Sequence, residues 1–126
     1  LLTQYVIKLM SRTGGGSIVS VSSSAAIDAN SGRSAYGASK AALLCSTKAL
    51  SREVGNLNIR ANIVAPGITK TDMISSMTDE VIDQTAKSAS LNRCGDPEEI
   101  ANTCIFLLSD FSSYVTGQTI RVDGGM

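Results

Sequence analysis

The chain contains no histidine among its 126 residues, and this absence removes several classes of site. Without an imidazole there can be no histidine-based catalytic triad, and most zinc sites are excluded as well. Eleven acidic and eleven basic side chains balance, so the charge gives no reason to expect nucleic acid or an anionic membrane as a partner. No apolar run approaches the roughly 18 residues that cross a bilayer, and the first residues lack the pattern of a secretion signal.

Cysteine is scarce too. Cys45, Cys94 and Cys104 are odd in number and widely spaced, and they form no CxxC pair. This pattern predicts buried free thiols in a reducing compartment and argues against disulfides or metal ligands. We therefore expect a cytoplasmic protein.

The length and a hydrophobic content of 43% allow one domain with a core of ordinary depth, and no repeat or linker divides it. Hydrophobic periodicity and turn residues predict an ordered series of elements. These are a helix over 1–12, a strand over 17–22, a polar loop over 23–33, a helix over 34–54, a strand over 58–65, short helices around 72–77 and after 78, a helix over 97–109 and a strand over 118–122. Strand, helix and strand in this order make a right-handed βαβ unit, so we predict an α/β fold with a parallel sheet. The first helix begins without an N-cap, and we expect further chain upstream of it.

Gly14, Gly15 and Gly16 offer two interpretations. A glycine-rich stretch can bind phosphate, but such loops lie between a strand and the helix that follows it. This one precedes a strand. We therefore favour a flexible turn that ends the first helix.

Tyr36 and Lys40 form the stretch with the clearest chemistry. They are four residues apart in a predicted helix, so they share one face. A lysine ammonium beside a phenol favours the phenolate and lowers the phenol's pKa, which suits acid–base catalysis near neutral pH. Ser23 lies upstream at the end of the preceding strand and could hold a carbonyl group against that phenol. The three residues suit proton transfer to or from the oxygen of a ketone or an alcohol.

The segment from Ile68 to Asn92 has a weak pattern and follows directly after a strand. Such segments build binding lids in α/β proteins. Its apolar side chains could line a substrate pocket together with Ser23, or could simply close the core; they are Met73, Ile74, Met77 and Val81.

Several motifs in one order resemble the carboxyl-terminal half of the classical short-chain dehydrogenase/reductase family. Ser23, Tyr36 and Lys40 are separated by twelve and by three residues, as in that family's catalytic pattern. The stretches IVSVSS and NIVAPGITKTDM resemble its strand before the serine and its nicotinamide segment, and RCGDPEEIANTCIFLLSDFSSYVTGQTIRVDGG resembles its last block. Within the family the chain most resembles the enzymes that reduce 3-oxoacyl groups on acyl carrier protein.

The resemblance implies a Rossmann-like three-layer α/β sandwich and an NAD(P)H-dependent reduction of a ketone to a secondary alcohol. It implies that Tyr36 is the general acid, that Lys40 lowers the Tyr36 pKa and binds the nicotinamide ribose, and that Ser23 polarises the carbonyl. NADP is the expected cofactor and NAD the alternative. The residues implied to shape the nicotinamide site, besides Tyr36 and Lys40, are Pro66, Gly67, Ile68, Thr69 and Thr71.

The family's amino-terminal features have no counterpart in these residues. They are the glycine-rich turn that binds the cofactor pyrophosphate, the residue that selects NAD or NADP, and an active-site asparagine. We expect the chain to be the second half of one domain, with strands five to seven of seven, an open strand edge at 17–22, and no activity by itself. Two alternatives stay open: a sugar or steroid alcohol dehydrogenase, and a fragment or degenerate relative that serves only as an association surface.

The expected partners are a small or carrier-bound ketone and further copies of the chain. The helices at 1–12 and 34–54 resemble those that pair in family dimers, and the last helix and strand resemble a second interface, which favours a tetramer. Alanines in the long helix should allow close packing on a neighbour: Ala38, Ala41, Ala42 and Ala49. Leu57 stands where carrier-protein reductases often have a docking arginine. Lys8, Arg12 and Arg52 could form a basic patch instead, or could be ordinary solvated charges.

Overall fold

The computed structural model describes residues 2–74 and 77–126, apart from the side chain of Met73. Within them, three strands form one parallel sheet in the order β1–β2–β3; the strands are β1 (Gly16–Val21), β2 (Ile59–Pro66) and β3 (Thr119–Val122). Gly16 lies opposite Ile59, and Pro66 lies opposite Val122. The predicted parallel α/β fold is confirmed, and each strand begins and ends within one residue of its expected bounds.

The α-helices in the described part of the chain are α1 (Leu2–Arg12), α2 (Ala25–Asp28), α3 (Ser34–Val54), α4 (Asp79–Lys87) and α5 (Pro97–Leu108). Short 3₁₀ turns cover Gly55–Leu57, Asp72–Ile74 and Asp110–Ser112. The prediction for α3 is confirmed residue for residue. The expectation of a plain loop between 23 and 33 is wrong, because that segment contains α2. The helix expected around 72–77 is a 3₁₀ turn at its start, while Ser75 and Ser76 lie outside the described residues.

Strand β2 occupies the centre of the sheet and is buried on both of its faces. Ile59, Ile63 and Val64 have almost no exposed surface. Asn62 is equally buried, and its side chain is fully used: Nδ2 donates to the carbonyl oxygen of Val115 at 2.8 Å, and Oδ1 accepts from the Gln118 N–H at 3.0 Å. This buried amide holds the turn that leads into β3, because its partners lie in that turn.

Hydrogen bonds as well as apolar contacts fix α3 against β1. The Thr47 hydroxyl donates to Ser20 Oγ at 2.9 Å, and the Ser22 hydroxyl donates to the Lys40 carbonyl oxygen at 2.9 Å. Hydrogen bonds are directional, so these two contacts set both the rotation and the height of the helix relative to the strand. The outer side of α3 carries Ala38, Ala42 and Ala49, all exposed, while Ala41 is half-buried.

The triple glycine forms the turn between α1 and β1, as the sequence favoured. The Gly15 N–H donates to the Met10 carbonyl oxygen at 2.9 Å, which closes the end of α1. Asn58, the residue before β2, also binds this turn. Its Nδ2 donates to the Gly14 carbonyl oxygen at 2.9 Å, and its own carbonyl oxygen accepts from the Gly16 N–H at 3.1 Å. The stretch therefore joins α1 to the start of β2.

Helix α5 is held at both ends. At its start, the Asp96 N–H donates to Glu99 Oε2 at 2.8 Å and Pro97 fills the first helical position, as predicted. Past its end, the Arg60 guanidinium donates four hydrogen bonds, to the carbonyl oxygens of Leu107, Ser109 and Val115 and to Ser112 Oγ. A cation placed there satisfies carbonyl groups that the helix leaves without partners.

The three cysteines differ in how deeply they are buried. The prediction of three buried thiols is wrong for Cys45, which is exposed on α3; Cys94 is buried, Cys104 is half-buried, and all three are free. Burial raises the pKa of the Cys104 thiol.

Strand β1 forms an outer edge of the sheet in the described part of the chain, as expected, and Val21 at its end is about half exposed. None of the helices described between residues 2 and 126 has the length and apolarity needed to cross a membrane.

Candidate active site

The loops after β1 and β2 meet at one edge of the sheet, because parallel strands end on the same side. The Ser22 N–H donates to the Val64 carbonyl oxygen, and the Ser24 N–H donates to the Pro66 carbonyl oxygen, both at 2.8 Å. Ser23 lies between these two contacts. The structure therefore places Ser23 beside the predicted nicotinamide segment that begins at Pro66.

Lys40 lies over the end of β1. Its Nζ donates to the Val21 carbonyl oxygen at 3.2 Å and lies 6.0 Å from the centre of the Tyr36 ring. Tyr36 is 38% exposed, so its phenol is accessible, whereas Lys40 is half-buried. The shared helix face predicted for this pair is confirmed.

The first turns of α3 also pack on the loop that carries Ser23. Gly37 approaches α2 so closely that a Cβ atom there would lie 3.0 Å from the Ala25 carbonyl oxygen. The Ala25 N–H in turn donates to Ser23 Oγ at 3.2 Å. Ser23, Tyr36 and Lys40 therefore come from segments in direct contact at one edge of the sheet. Their catalytic roles stay a prediction.

The predicted nicotinamide residues form a loop anchored on two other segments. The Gly67 N–H donates to the Val122 carbonyl oxygen at 3.0 Å, which fixes the start of the loop to the end of β3. Farther on, the Gly95 N–H donates to the Ile68 carbonyl oxygen at 3.0 Å and the Lys70 N–H donates to the Gly95 carbonyl oxygen at 2.9 Å. Thr69 turns its hydroxyl back to the Gly67 carbonyl oxygen at 3.1 Å, while Thr71 is exposed.

Gly67 has no room for a side chain. A Cβ atom at this position would lie 2.7 Å from the Cβ of Asp123 and 2.9 Å from the Sδ of Met126, well inside van der Waals contact. The chain's last residues therefore pack directly against the loop, and the loop could not keep this position with a larger residue.

An ion pair braces the segment on which this loop is anchored. Arg93 binds Glu99 through two hydrogen bonds of 2.8 and 2.7 Å. The hydrogen bond from Arg93, together with that from the Asp96 N–H, lowers the pKa of Glu99 to about 2. The same pairing raises the pKa of Arg93. Above pH 4.5 the pair is fully charged, and it is lost only as the pH falls towards 2.

The substrate pocket predicted around Ser23 and the segment after residue 68 stays a prediction, because Ser23 does not line the cavity found there. An open cavity of about 390 Å³ lies beside the loop, and Ile74 and Met77 line it. Val81 does not, and the Met73 side chain lies outside the described residues. The lining is mixed, since charged and polar residues share the surface with the apolar ones. The other residues that line the cavity are Lys70, Thr71, Asp72, Asp79 and Ile82.

A set of charged residues that the sequence does not predict joins α2 to β3. Arg121 on β3 binds Asp28 at the end of α2 and also Asp123 beyond β3. No local pattern indicates this contact, because Asp28 and Arg121 are 93 positions apart. In the described ranges, no group of three or more acidic or cysteine side chains comes together in a way that could hold a metal ion.

Known proteins resemble this chain both in sequence and in fold. A family model described as enoyl-(acyl carrier protein) reductase matches residues 1–126. A solved short-chain type dehydrogenase/reductase from Mycobacterium ulcerans superimposes with a TM-score of 0.93 at 38% identity, over 97% of this chain and 45% of that one. The chain belongs to the short-chain dehydrogenase/reductase family, as its motifs predicted.

Relatives with different substrates are equally similar to this chain. A 3-oxoacyl-[acyl-carrier-protein] reductase from Chlamydia trachomatis is 46% identical over 121 residues, which are 96% of this chain and 49% of that protein. A 3alpha-hydroxysteroid dehydrogenase from Mediterraneibacter gnavus is also 46% identical, over 97% of this chain and 49% of that protein. The chain spans about half the length of the curated relatives it matches.

Proposed function

We propose that the complete protein is an NAD(P)H-dependent reductase that converts a ketone to a secondary alcohol. One observation carries the proposal: Lys40 is fixed over the end of β1 with its ammonium 6.0 Å from the Tyr36 ring, beside the loop of Ser23. In this reaction Tyr36 gives its phenolic proton to the carbonyl oxygen. Ser23 donates a hydrogen bond to the same oxygen and stabilises the negative charge that develops on it.

The residues present suit a nicotinamide cofactor. An ammonium has three N–H groups, and the Val21 carbonyl accepts from only one of those of Lys40, so the same group can also reach a ribose hydroxyl. Pro66, Gly67 and Ile68 would border the nicotinamide ring, and Thr69 and Thr71 its carboxamide. When bound, the cofactor supplies the hydride. The proton that the carbonyl oxygen takes up then comes from the protein.

For the substrate we propose a 3-oxoacyl thioester, with a carrier protein as its bearer. The cavity beside Thr71 favours this over a steroid, because Lys70, Asp72 and Asp79 are among its lining residues and a steroid nucleus needs a mostly apolar pocket. The alternative, a hydroxysteroid, is favoured by the relative from Mediterraneibacter gnavus. The exposed residues Lys8, Arg12 and Arg52 are available to an acidic carrier.

Initial rates of the full-length protein separate these substrates. We expect kcat/KM for acetoacetyl-CoA to exceed that for a 3-oxosteroid by at least about tenfold, and NADPH to be used in preference to NADH. A preference for the steroid would overturn the substrate assignment and leave the reaction class intact. Absence of turnover with every ketone would favour the association surface. We place the complete protein in the cytoplasm and expect its other half to bind the cofactor pyrophosphate.

We also propose that the complete protein is a homo-oligomer, with a tetramer as the favoured state. Leu2, Tyr5 and Leu9 form an exposed apolar stripe along α1, and the exposed alanines of α3 offer a flat surface for close helix contact. A second exposed apolar set lies around the end of α5: Ile105, Leu108, Phe111 and Tyr114.

Light scattering coupled to size-exclusion chromatography tests the oligomer. We expect the full-length protein to elute as a multimer and Leu9→Glu to reduce its mass. Lys8→Glu is the matched control, because it places the same carboxylate on the adjacent exposed position outside the stripe. A monomeric parent protein would refute the proposal.

A further inference from the structure

The guanidinium of Arg121 uses all three of its nitrogen atoms. Nη1 and Nη2 bind the two carboxylate oxygens of Asp28 at 2.6 and 3.0 Å. Nε binds Asp123, and Nη2 also donates to the Met126 carbonyl oxygen at 3.1 Å. One side chain on the outer strand β3 thus joins the loop after β1 to the last residues of the chain.

Helix α2 transmits the position of Asp28 to Ser23. It has four residues, too few to be stable without tertiary contacts. Its hydrogen bonds begin at Ser23 and Ser24, because the Ala26 N–H donates to the Ser23 carbonyl oxygen at 3.1 Å and the Asp28 N–H donates to the Ser24 carbonyl oxygen at 2.9 Å. A movement of Asp28 would therefore displace the turn that begins at Ser23.

The other side of the contact is firmly anchored. The Asp123 side chain is only 7% exposed. Burial raises the pKa of Asp123, but hydrogen bonds from Arg121 and from the Gly125 N–H outweigh this and lower it below its ordinary value. Asp123 also packs on Gly67, the residue that begins the predicted nicotinamide loop. Arg121 therefore lies between the two loops of the candidate active site.

Partial burial makes these contacts more valuable than ordinary surface ion pairs. The side chains of Arg121 and Asp28 are each 30% exposed, and the pair is bidentate, which adds geometric precision. Exposed pairs such as Lys70–Asp96, by contrast, contribute little to stability.

We propose that Arg121 is a positioning residue, which holds α2 so that the Ser23 hydroxyl keeps its place beside Tyr36. The inference rests on the proposed reductase function. Displacement of a reacting group by about 1 Å can cost about 100-fold in rate, so loss of the clamp should affect catalysis through the position of Ser23.

A double-mutant cycle on the full-length protein tests the proposal. We expect Arg121→Met to lower kcat/KM for acetoacetyl-CoA by about 10- to 100-fold, with the dissociation constant for NADPH within about twofold of the parent value. Arg121→Lys should recover only part of the loss, because one ammonium cannot bind both oxygens of Asp28 and also reach Asp123. In a Ser23→Ala background, Arg121→Met should cost less than about twofold, since there is no hydroxyl left to position.

Arg60→Met is the matched control. Arg60 also donates four hydrogen bonds, but at the opposite end of β2 from Pro66. We expect it to lower the melting temperature and leave kcat/KM per folded molecule unchanged. Asp28→Asn removes the charge of the carboxylate with little change of shape. If Arg121→Met does not fold, kcat/KM of Asp28→Asn tests the proposal instead.

The outcomes separate the two proposals. If Ser23→Ala and Tyr36→Phe have parental activity, the reductase function itself is wrong. If both lose activity, yet the effects of Arg121→Met and Ser23→Ala multiply, or Asp28→Asn has parental kcat/KM, then Arg121 does not act through Ser23 and the positioning role is wrong.

Discussion

Replacement of Tyr36 by phenylalanine in the full-length protein is expected to lower kcat for ketone reduction by about 10³-fold. A positioned general acid contributes typically 10²- to 10⁴-fold, and this substitution removes only the hydroxyl that would supply the proton. The ring stays, so its packing beside Lys40 should be preserved. The dissociation constant for NADPH should change less than about threefold, since Lys40 keeps its hydrogen bond to the end of β1.

Tyr114→Phe is the matched control for this experiment. It makes the same chemical change at a fully exposed tyrosine on the turn before β3. We expect parental kcat from that variant, and equal melting temperatures for both. A Tyr36→Phe protein that retains more than a tenth of the parental kcat would remove the phenol from the mechanism.

The second large effect concerns folding. Gly15→Ala is expected to lower the free energy of unfolding by about 3–5 kcal/mol, out of roughly 5–15 kcal/mol for a whole domain. Gly15 has a φ of 125°, which a residue with a Cβ rarely adopts, and a Cβ there would lie 2.3 Å from the Asn58 carbonyl oxygen. That carbonyl accepts from the Gly16 N–H at the start of β1. Relief of the clash would therefore break the first pairing between β1 and β2.

Gly14→Ala separates steric overlap from backbone strain. Gly14 also has a positive φ, of 95°, but no atom lies within 4 Å of a Cβ built there. We expect that variant to lose only about 1 kcal/mol, from backbone strain. Urea denaturation of the two full-length variants measures the difference. Equal midpoints would show that Asn58 does not hold this turn in the way the structure indicates.

Local patterns in the sequence were sufficient to predict the sheet and the shared helix face of Tyr36 and Lys40. Helix α3 has a clear end at Gly55, and residues four apart on it must share a face, so Tyr36 and Lys40 could be placed together without coordinates. Asp96 and Pro97 marked the start of α5 equally well. These features depend on neighbours along the chain, which is why sequence reasoning found them.

Contacts between segments that are far apart in the sequence could not be predicted from such local patterns. Helix α2 is one turn long, too short for a hydrophobic period to develop, so the sequence pattern predicts a loop there. Arg121 looked like an ordinary strand residue because its partner Asp28 lies near the opposite end of the sequence. Cys45 was expected in the core by its residue type, but its side of α3 faces away from the sheet. Such features depend on tertiary packing, which residue type and spacing do not determine.

The two hydroxyl contacts between α3 and β1 have a consequence for how tolerant this protein is to change. Apolar contacts are non-directional and permit a helix to slide or roll by small amounts. Here the hydrogen bonds of Thr47 and Ser22 hold the helix against the strand at two points, one on either side of the middle of the helix. The position of the phenol therefore depends on these two hydroxyl groups as well as on the aliphatic side chains of α3.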